Sequence, residues 1–109
     1  MIDIYYENGY NIDRTYGIKK VINYLDNKNI DLGQFSCLDM FAGDGTFCTH
    51  ILAERVLYMD CFEVDIDIFT KLKDTLSNTK SIRKMLQKDS IEYFNTHKSV
   101  YDLIFVDNP

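Results

Sequence analysis

Apolar residues recur along this chain in two alternating rhythms. In residues 15–28, Ile18, Val21, Ile22 and Leu25 fall three or four positions apart, which predicts a helix with one buried face. "NKNIDLGQ" follows, with the Asn and Gly that end helices. Residues 35–41 are apolar without a helical period and predict a buried strand, broken by Gly43-Asp44-Gly45. A helix is expected over 46–54, with Phe47, Ile51 and Leu52 facing inward, and a second strand over 56–64. Asp65 or Asp67 caps a helix running to Leu76, whose Ile68, Phe69, Leu72 and Leu76 are apolar. Residues 82–88 read as a weak strand and 90–96 as a short helix with Ile91, Tyr93 and Phe94. "YDLIFVD" reads as the plainest strand, ending in Asp107. Ahead of these elements "ENGYNIDRTYG" is polar and turn-rich, so residues 1–34 are expected to form an irregular lead-in and an N-terminal helix.

Strands alternating with helices imply an α/β fold with a parallel sheet. Strands covered on both faces read as unbroken apolar runs, as "LIFV" does. At 109 residues the chain is expected to form a single domain, 1–109. Its 46% hydrophobic and 27% charged residues are ordinary for a globular protein. No apolar run approaches the ~20 residues of a membrane helix. The N-terminus lacks a basic region followed by an apolar block, so no secretory signal and a cytoplasmic location are expected.

Cys37, Cys48 and Cys61 are odd in number and form no CxxC pair, and His50 and His97 stand at no ligand spacing to them. Reduced thiols and no metal are the expectation. A net charge of −5 argues against a free-standing nucleic-acid binder. One segment departs from that balance. "KLKDTLSNTKSIRKMLQK" sets Lys71, Lys73, Lys80, Arg83, Lys84 and Lys88 against Asp74, as a solvated face or a phosphate-facing rim.

In open parallel sheets ligands bind at the carboxyl ends of the strands. The residues there are Asp39 to Gly45, Glu63 to Asp65, Asp89-Ser90, and Asp107-Asn108-Pro109, and every group is acidic or glycine-rich. Gly43 and Gly45 permit a backbone conformation and a close approach that a Cβ would block. A helix opening at Thr46 would offer N–H groups to an anion. Cys48 occupies the third-glycine position of a dinucleotide fingerprint, and no Walker lysine follows Gly45. Glu63, 20 residues beyond Gly43, ends the second strand where a carboxylate accepts hydrogen bonds from ribose hydroxyls. Asp65 is suited to the same task or to capping the next helix.

"LDMFAGDGTF", "CFEVD", "KDS" and "YDLIFVDNP", in this order, resemble the motifs of class I S-adenosylmethionine-dependent methyltransferases. The resemblance spans residues 37–109. It implies a partial Rossmann-like methyltransferase fold: about four mainly parallel strands with flanking helices, in an incomplete cofactor-binding domain. It also implies that Asp39, Ala42, Gly43 and Gly45 line the methionine part of S-adenosyl-L-methionine and that Glu63 holds its ribose. Asp89, with Ser90, would face the adenine, and Asp107 and Asn108 would lie beside the sulfonium methyl. The last motif resembles the Asp/Asn-Pro-Pro-aromatic signature of enzymes that methylate amino groups of DNA or RNA. Either Asp107 takes its polar position with Asn108 in place of the first proline, or Asn108 takes it with Pro109 as that proline. Asp107, Asn108 and Pro109 are therefore the catalytic candidates.

The resemblance implies a seven-stranded sheet, whereas about four strands fit here and a βαβ unit needs roughly 30 residues. The C-terminal strands of the family sheet are missing, which would leave "LIFV" at an edge. The chain is then part of a longer protein, or a second chain completes the sheet, or copies pair across the edge. The functional expectation is a methyltransferase or its cofactor-binding part. The alternative is a non-catalytic methyltransferase-like binding module or partner subunit.

Overall fold

The computed structural model describes the backbone of residues 4–7 and 10–13 and the whole of residues 15–106. Where an irregular lead-in was expected, β1 (Ile4–Glu7) and β2 (Tyr10–Asp13) pair antiparallel as a separate two-stranded sheet. These strands flank Asn8-Gly9, the dipeptide most favoured in two-residue hairpin loops.

Helix α1 (Tyr16–Asn27) buries the narrow stripe of Ile18 and Ile22, and Val21, expected on that face, is exposed. Asn29 adopts a left-handed φ of 58°. Its N–H donates to the Asp26 carbonyl and that of Ile30 to the Leu25 carbonyl, a Schellman ending that satisfies the helix's last carbonyls. A short 3-10 turn, Leu32–Gln34, then leads into β3.

The remaining elements alternate: β3 (Ser36–Asp39), α2 (Thr49–Ala53), β4 (Tyr58–Phe62), α3 (Ile66–Thr75), β5 (Ile82–Leu86), α4 (Ser90–Thr96) and β6 (Leu103–Phe105). The four strands β3 to β6 form one parallel sheet in the order β5-β4-β3-β6. Cys37 lies opposite Met59 on one side and Leu103 on the other, which fixes the central register. The chain runs outward from β3 through β4 to β5, then returns to lay β6 on the far side of β3. The order therefore reverses between β3 and β6, and a crevice opens at their carboxyl ends.

The two faces of the sheet are covered unequally. Cys37, Met59 and Cys61 join Ile18, Ile22, Leu52, Ala53, Leu72 and Leu76 in one core, so α1, α2 and α3 cover that face. The opposite face carries Leu38, Asp60 and Phe62, and Phe62 packs its ring against Tyr93 and Phe94 of α4. β3 and β4 are buried almost throughout, as their apolar runs predict. β6 is shorter than its sequence suggests and sits at the sheet edge, with Ile104 exposed. Asp102 holds its start: a carboxylate oxygen accepts from the Ser36 N–H at 2.9 Å, and its own N–H donates to the Ser36 carbonyl at 3.0 Å.

Candidate ligand-binding site

Asp39 ends β3 with its carboxylate buried beneath the following loop. One oxygen accepts from the Phe41 N–H at 3.3 Å and the other from the Thr49 hydroxyl at 2.7 Å. The same hydroxyl lies 3.2 Å from the Ala42 carbonyl. A charge placed where it would otherwise be desolvated is thus satisfied by the loop and by the first residue of α2.

The loop itself turns on two glycines with φ of 61° at Gly43 and 84° at Gly45. Their surroundings differ. A Cβ on Gly43 would meet nothing within 4 Å, whereas one on Gly45 would meet Leu72 Cδ1 at 3.0 Å and Thr75 Cγ2 at 3.2 Å. Gly43 opens toward the site; Gly45 lets the loop pack on α3.

The helix after the loop starts at Thr49, three residues later than expected, and has one turn and a half. Asp44 explains the delay, because its carboxylate takes both the N–H of Thr46 at 2.9 Å and its hydroxyl at 2.6 Å. That local bond competes with helix formation. Thr46 therefore belongs to a turn ahead of α2 rather than to the first turn of a helix. Phe47, expected to face inward, is 41% exposed and lines the cavity instead.

Glu63, just beyond β4, is half-buried and bridges two backbone amides. One oxygen accepts from Gly43 N–H at 3.1 Å and the other from Asp65 N–H at 2.8 Å. Each oxygen keeps acceptor capacity for a further donor. Asp65, not Asp67, caps α3 by accepting from the N–H groups of Asp67 and Ile68. Asp89 caps α4 in the same way through Ile91 and Glu92. The buried Ser90 donates its hydroxyl to the Met40 carbonyl at 3.0 Å, tying α4 to the end of β3.

Asp39, Ala42, Gly43, Glu63, Asp89 and Ser90 all border one cavity of about 430 Å³ at the carboxyl ends of the strands. Its size suits a ligand of cofactor dimensions. Gly45 does not border it. Asp107, Asn108 and Pro109 lie outside the described residues.

Met40, Phe41 and Val64, within the stretches expected at the strand ends, also line it, as does Lys88 from the basic segment; the walls that sequence reasoning missed are Phe47, Cys48, Thr49, Ile68 and Phe105. Val64 and Ile68 are 59% and 37% exposed, so they are apolar side chains facing a void rather than the core. Their available signal was position, immediately after the carboxyl end of β4. Cys48 is half-buried in this wall, while burial, aided by Asp39 and Asp60, pushes the Cys37 thiol up to about 12. Burial raises Cys61 also, so both thiols stay protonated as small core residues. Among the described residues no group of three or more His, Cys, Asp or Glu could hold a metal ion. No described helix is long and apolar enough to cross a membrane.

A parallel sheet reversing beside its first strand, a glycine loop after that strand and an acid after the next define a Rossmann-like, partial methyltransferase fold. Solved structures share it. The candidate methyltransferase yhhF of Escherichia coli superposes with a TM-score of 0.70 at 18% identity, covering 93% of this chain and 59% of its own. The candidate methylase HI0767 of Haemophilus influenzae gives 0.67 at 21% identity, with the same coverages of 93% and 59%. A candidate RNA methyltransferase, PH1948 of Pyrococcus horikoshii, gives 0.63 at 20%, covering 85% of this chain and 45% of its own. The chain thus spans between 45% and 59% of the length of these structures. Among proteins of curated function none matches the sequence. The chain belongs to the family described as conserved hypothetical protein 95, whose profile matches residues 18–109.

Proposed function

We propose that the cavity binds S-adenosyl-L-methionine and that the chain is the cofactor-binding part of a methyltransferase acting on an amino group of DNA or RNA. The observation that carries the reading is Glu63. Its carboxylate is bonded to the amide of Gly43, so an acceptor for ribose hydroxyls stands against the glycine loop in one cavity.

The lining fits the rest of such a ligand. The space beside Gly43, which a Cβ would enter, leaves room for the methionine portion. Val64 and Ile68 border the same cavity and would offer apolar contact to a flat heterocycle, and Asp89 and Ser90, which also border it, are the proposed partners of its amino group. When bound, the cofactor supplies an electrophilic methyl on a sulfonium; the protein's part is to align the acceptor and support charge at the reacting nitrogen. The proposed acceptor for the amino group's hydrogens is Asp107, with Asn108 in place of the first proline of the motif, or Asn108, with Pro109 as that proline. The solved neighbour described as a candidate RNA methyltransferase supports a nucleic-acid acceptor.

Calorimetry with S-adenosylhomocysteine tests this. The 109-residue chain is expected to bind, and Glu63→Ala to weaken binding ~10–100-fold, the range for losing hydrogen bonds to a charged group. No binding by the parent chain, or equal binding by the variant, removes the reading.

A second reading, a non-catalytic binding module or partner subunit, draws support from the edge position of β6 and the thinly covered face beside it. It predicts ligand binding without transfer of labelled methyl to RNA or DNA, alone or with a chain that completes the sheet. Methyl transfer by either preparation excludes it.

A further inference from the structure

We propose that His50, outside the cavity, is a positioning residue that latches the glycine loop in its ligand-ready arrangement. The proposal rests on the reading that this cavity is the ligand site. The Gly45 carbonyl receives two donors from His50: the backbone N–H at 3.1 Å and the ring Nδ1 at 2.8 Å. A carbonyl only accepts, so Nδ1 carries the hydrogen.

The peptide joining Gly45 to Thr46 is held at its other end too, by the Thr46 N–H on Asp44. Rotation of that peptide would break all three bonds. The restraint matters because Gly45, at φ 84°, lacks the Cβ that would otherwise limit its backbone. At the opposite end of the loop, Glu63 holds the Gly43 N–H. The loop is therefore fastened from α2 behind and from β4 in front.

The other ring nitrogen explains why a histidine here is more than packing. Nε2 is buried and has no hydrogen-bond partner among the described residues. An unsatisfied buried polar atom is destabilising, and leucine would fill the space without it. What the imidazole adds is the bond to Gly45. Without that bond the loop samples more arrangements, and a ligand must order it on binding.

The test compares His50→Leu with His50→Asn, whose side-chain amide nitrogen can stand in for Nδ1. In the free chain, His50→Leu is expected to speed amide hydrogen exchange at Gly43, Gly45 and Thr46 by ~10-fold or more and to weaken S-adenosylhomocysteine binding by ~10-fold. Its Tm should be unchanged or higher, and His50→Asn should restore both exchange and affinity. In the parent chain, the His50 Nδ1–H should give a proton resonance protected from solvent exchange. Absence of that resonance, unaltered exchange in His50→Leu, or an Asn variant that behaves like the Leu variant each overturns the proposal. A parent chain that binds no S-adenosylhomocysteine removes the functional reading, while the exchange and resonance measurements still decide the role of His50.

Discussion

A carboxylate in the middle of a buried strand needs strong partners, and Asp60 on β4 has two. Arg83 donates Nε–H at 2.9 Å and a second N–H at 2.5 Å, and the Tyr101 hydroxyl donates at 2.6 Å. Burial pushes the Asp60 carboxyl up, but the bonds from Arg83 and Tyr101 outweigh it and hold the group below its ordinary range. The Tyr101 phenol is pushed up to about 12, first by burial and then by its bond to Asp60. The two ends of the ion pair are unequal, since the Asp60 side chain is 1% exposed and that of Arg83 is 41%. Removing the arginine strands a buried charge, whereas removing the charge leaves a guanidinium that water can reach and that still lies over the Tyr58 ring. Arg83→Met should therefore destabilise by about 3 kcal/mol and Asp60→Asn by about 1 kcal/mol in urea unfolding. Equal losses would refute this account. The pH limbs follow from the signs. A depressed Asp60 contributes stability that is present above its unfolded value, near 4, and lost as pH falls through the folded one. A raised Tyr101 contributes stability that is complete below its unfolded value, near 10, and lost toward 12. Asp60→Asn should flatten the acid limb and Tyr101→Phe the alkaline one.

Between β3 and α2 the two glycines serve different ends, so the same substitution should have separable effects. Gly45→Ala places a methyl in a left-handed backbone and 3.0 Å from Leu72. A loss of about 2 kcal/mol or more is expected. Gly43→Ala carries the backbone penalty alone, about 1 kcal/mol, but its methyl enters the cavity. Thermal unfolding should rank Gly45→Ala as the less stable, and S-adenosylhomocysteine titration should rank Gly43→Ala as the weaker binder. The reverse order would mean that the loop faces have been misassigned. The loop was legible because a buried parallel strand, a glycine pair and an acid ending the next strand each leave a plain mark in sequence. Other elements left fainter marks. β5 shows no clean period because one of its edges is unpaired and Arg83 and Lys84 lie open to water. The start of α2 was misjudged because the Asp44 side chain captures the Thr46 amide, a contest that apolar spacing does not register. Ile68 reads with the apolar face of α3, since an apolar residue lining a cavity and one lining a core are the same letter. The β1–β2 pairing had a signal in the sequence Asn8-Gly9 between its strands, but the polar residues there read equally well as a loop.

At the scale of the whole molecule, the two edges of the parallel sheet are treated differently. β5 presents Arg83 and Lys84, charges that discourage another strand from pairing. Within β6 there is none, the exposed Asp102 just ahead of it being tied to Ser36: Ile104 is 54% exposed, and Val106 and Val100 nearby are 52% and 92% exposed. The adjoining face carries an open, mainly apolar groove of about 620 Å³, walled by Leu38, Met40, Phe94, Val100, Tyr101 and Ile104, with His97, Lys98 and Ser99 also bordering it. α4 alone among the described helices packs there, through Tyr93 and Phe94 on Phe62. An uncharged edge beside an apolar groove attracts further polypeptide or apolar probes. In the 109-residue chain, Ile104→Lys should lower binding of an apolar fluorescent dye and concentration-dependent light scattering several-fold. Because Ile104 is half in water already, unfolding free energy should change by no more than about 0.5 kcal/mol. Val21→Lys supplies the control, an equally exposed apolar site on α1 at 47%. It should leave dye binding and scattering at the parent level, because it neither borders the groove nor lies on a strand edge. Equal responses from the two variants would show that net charge, not the β6 edge, governs association.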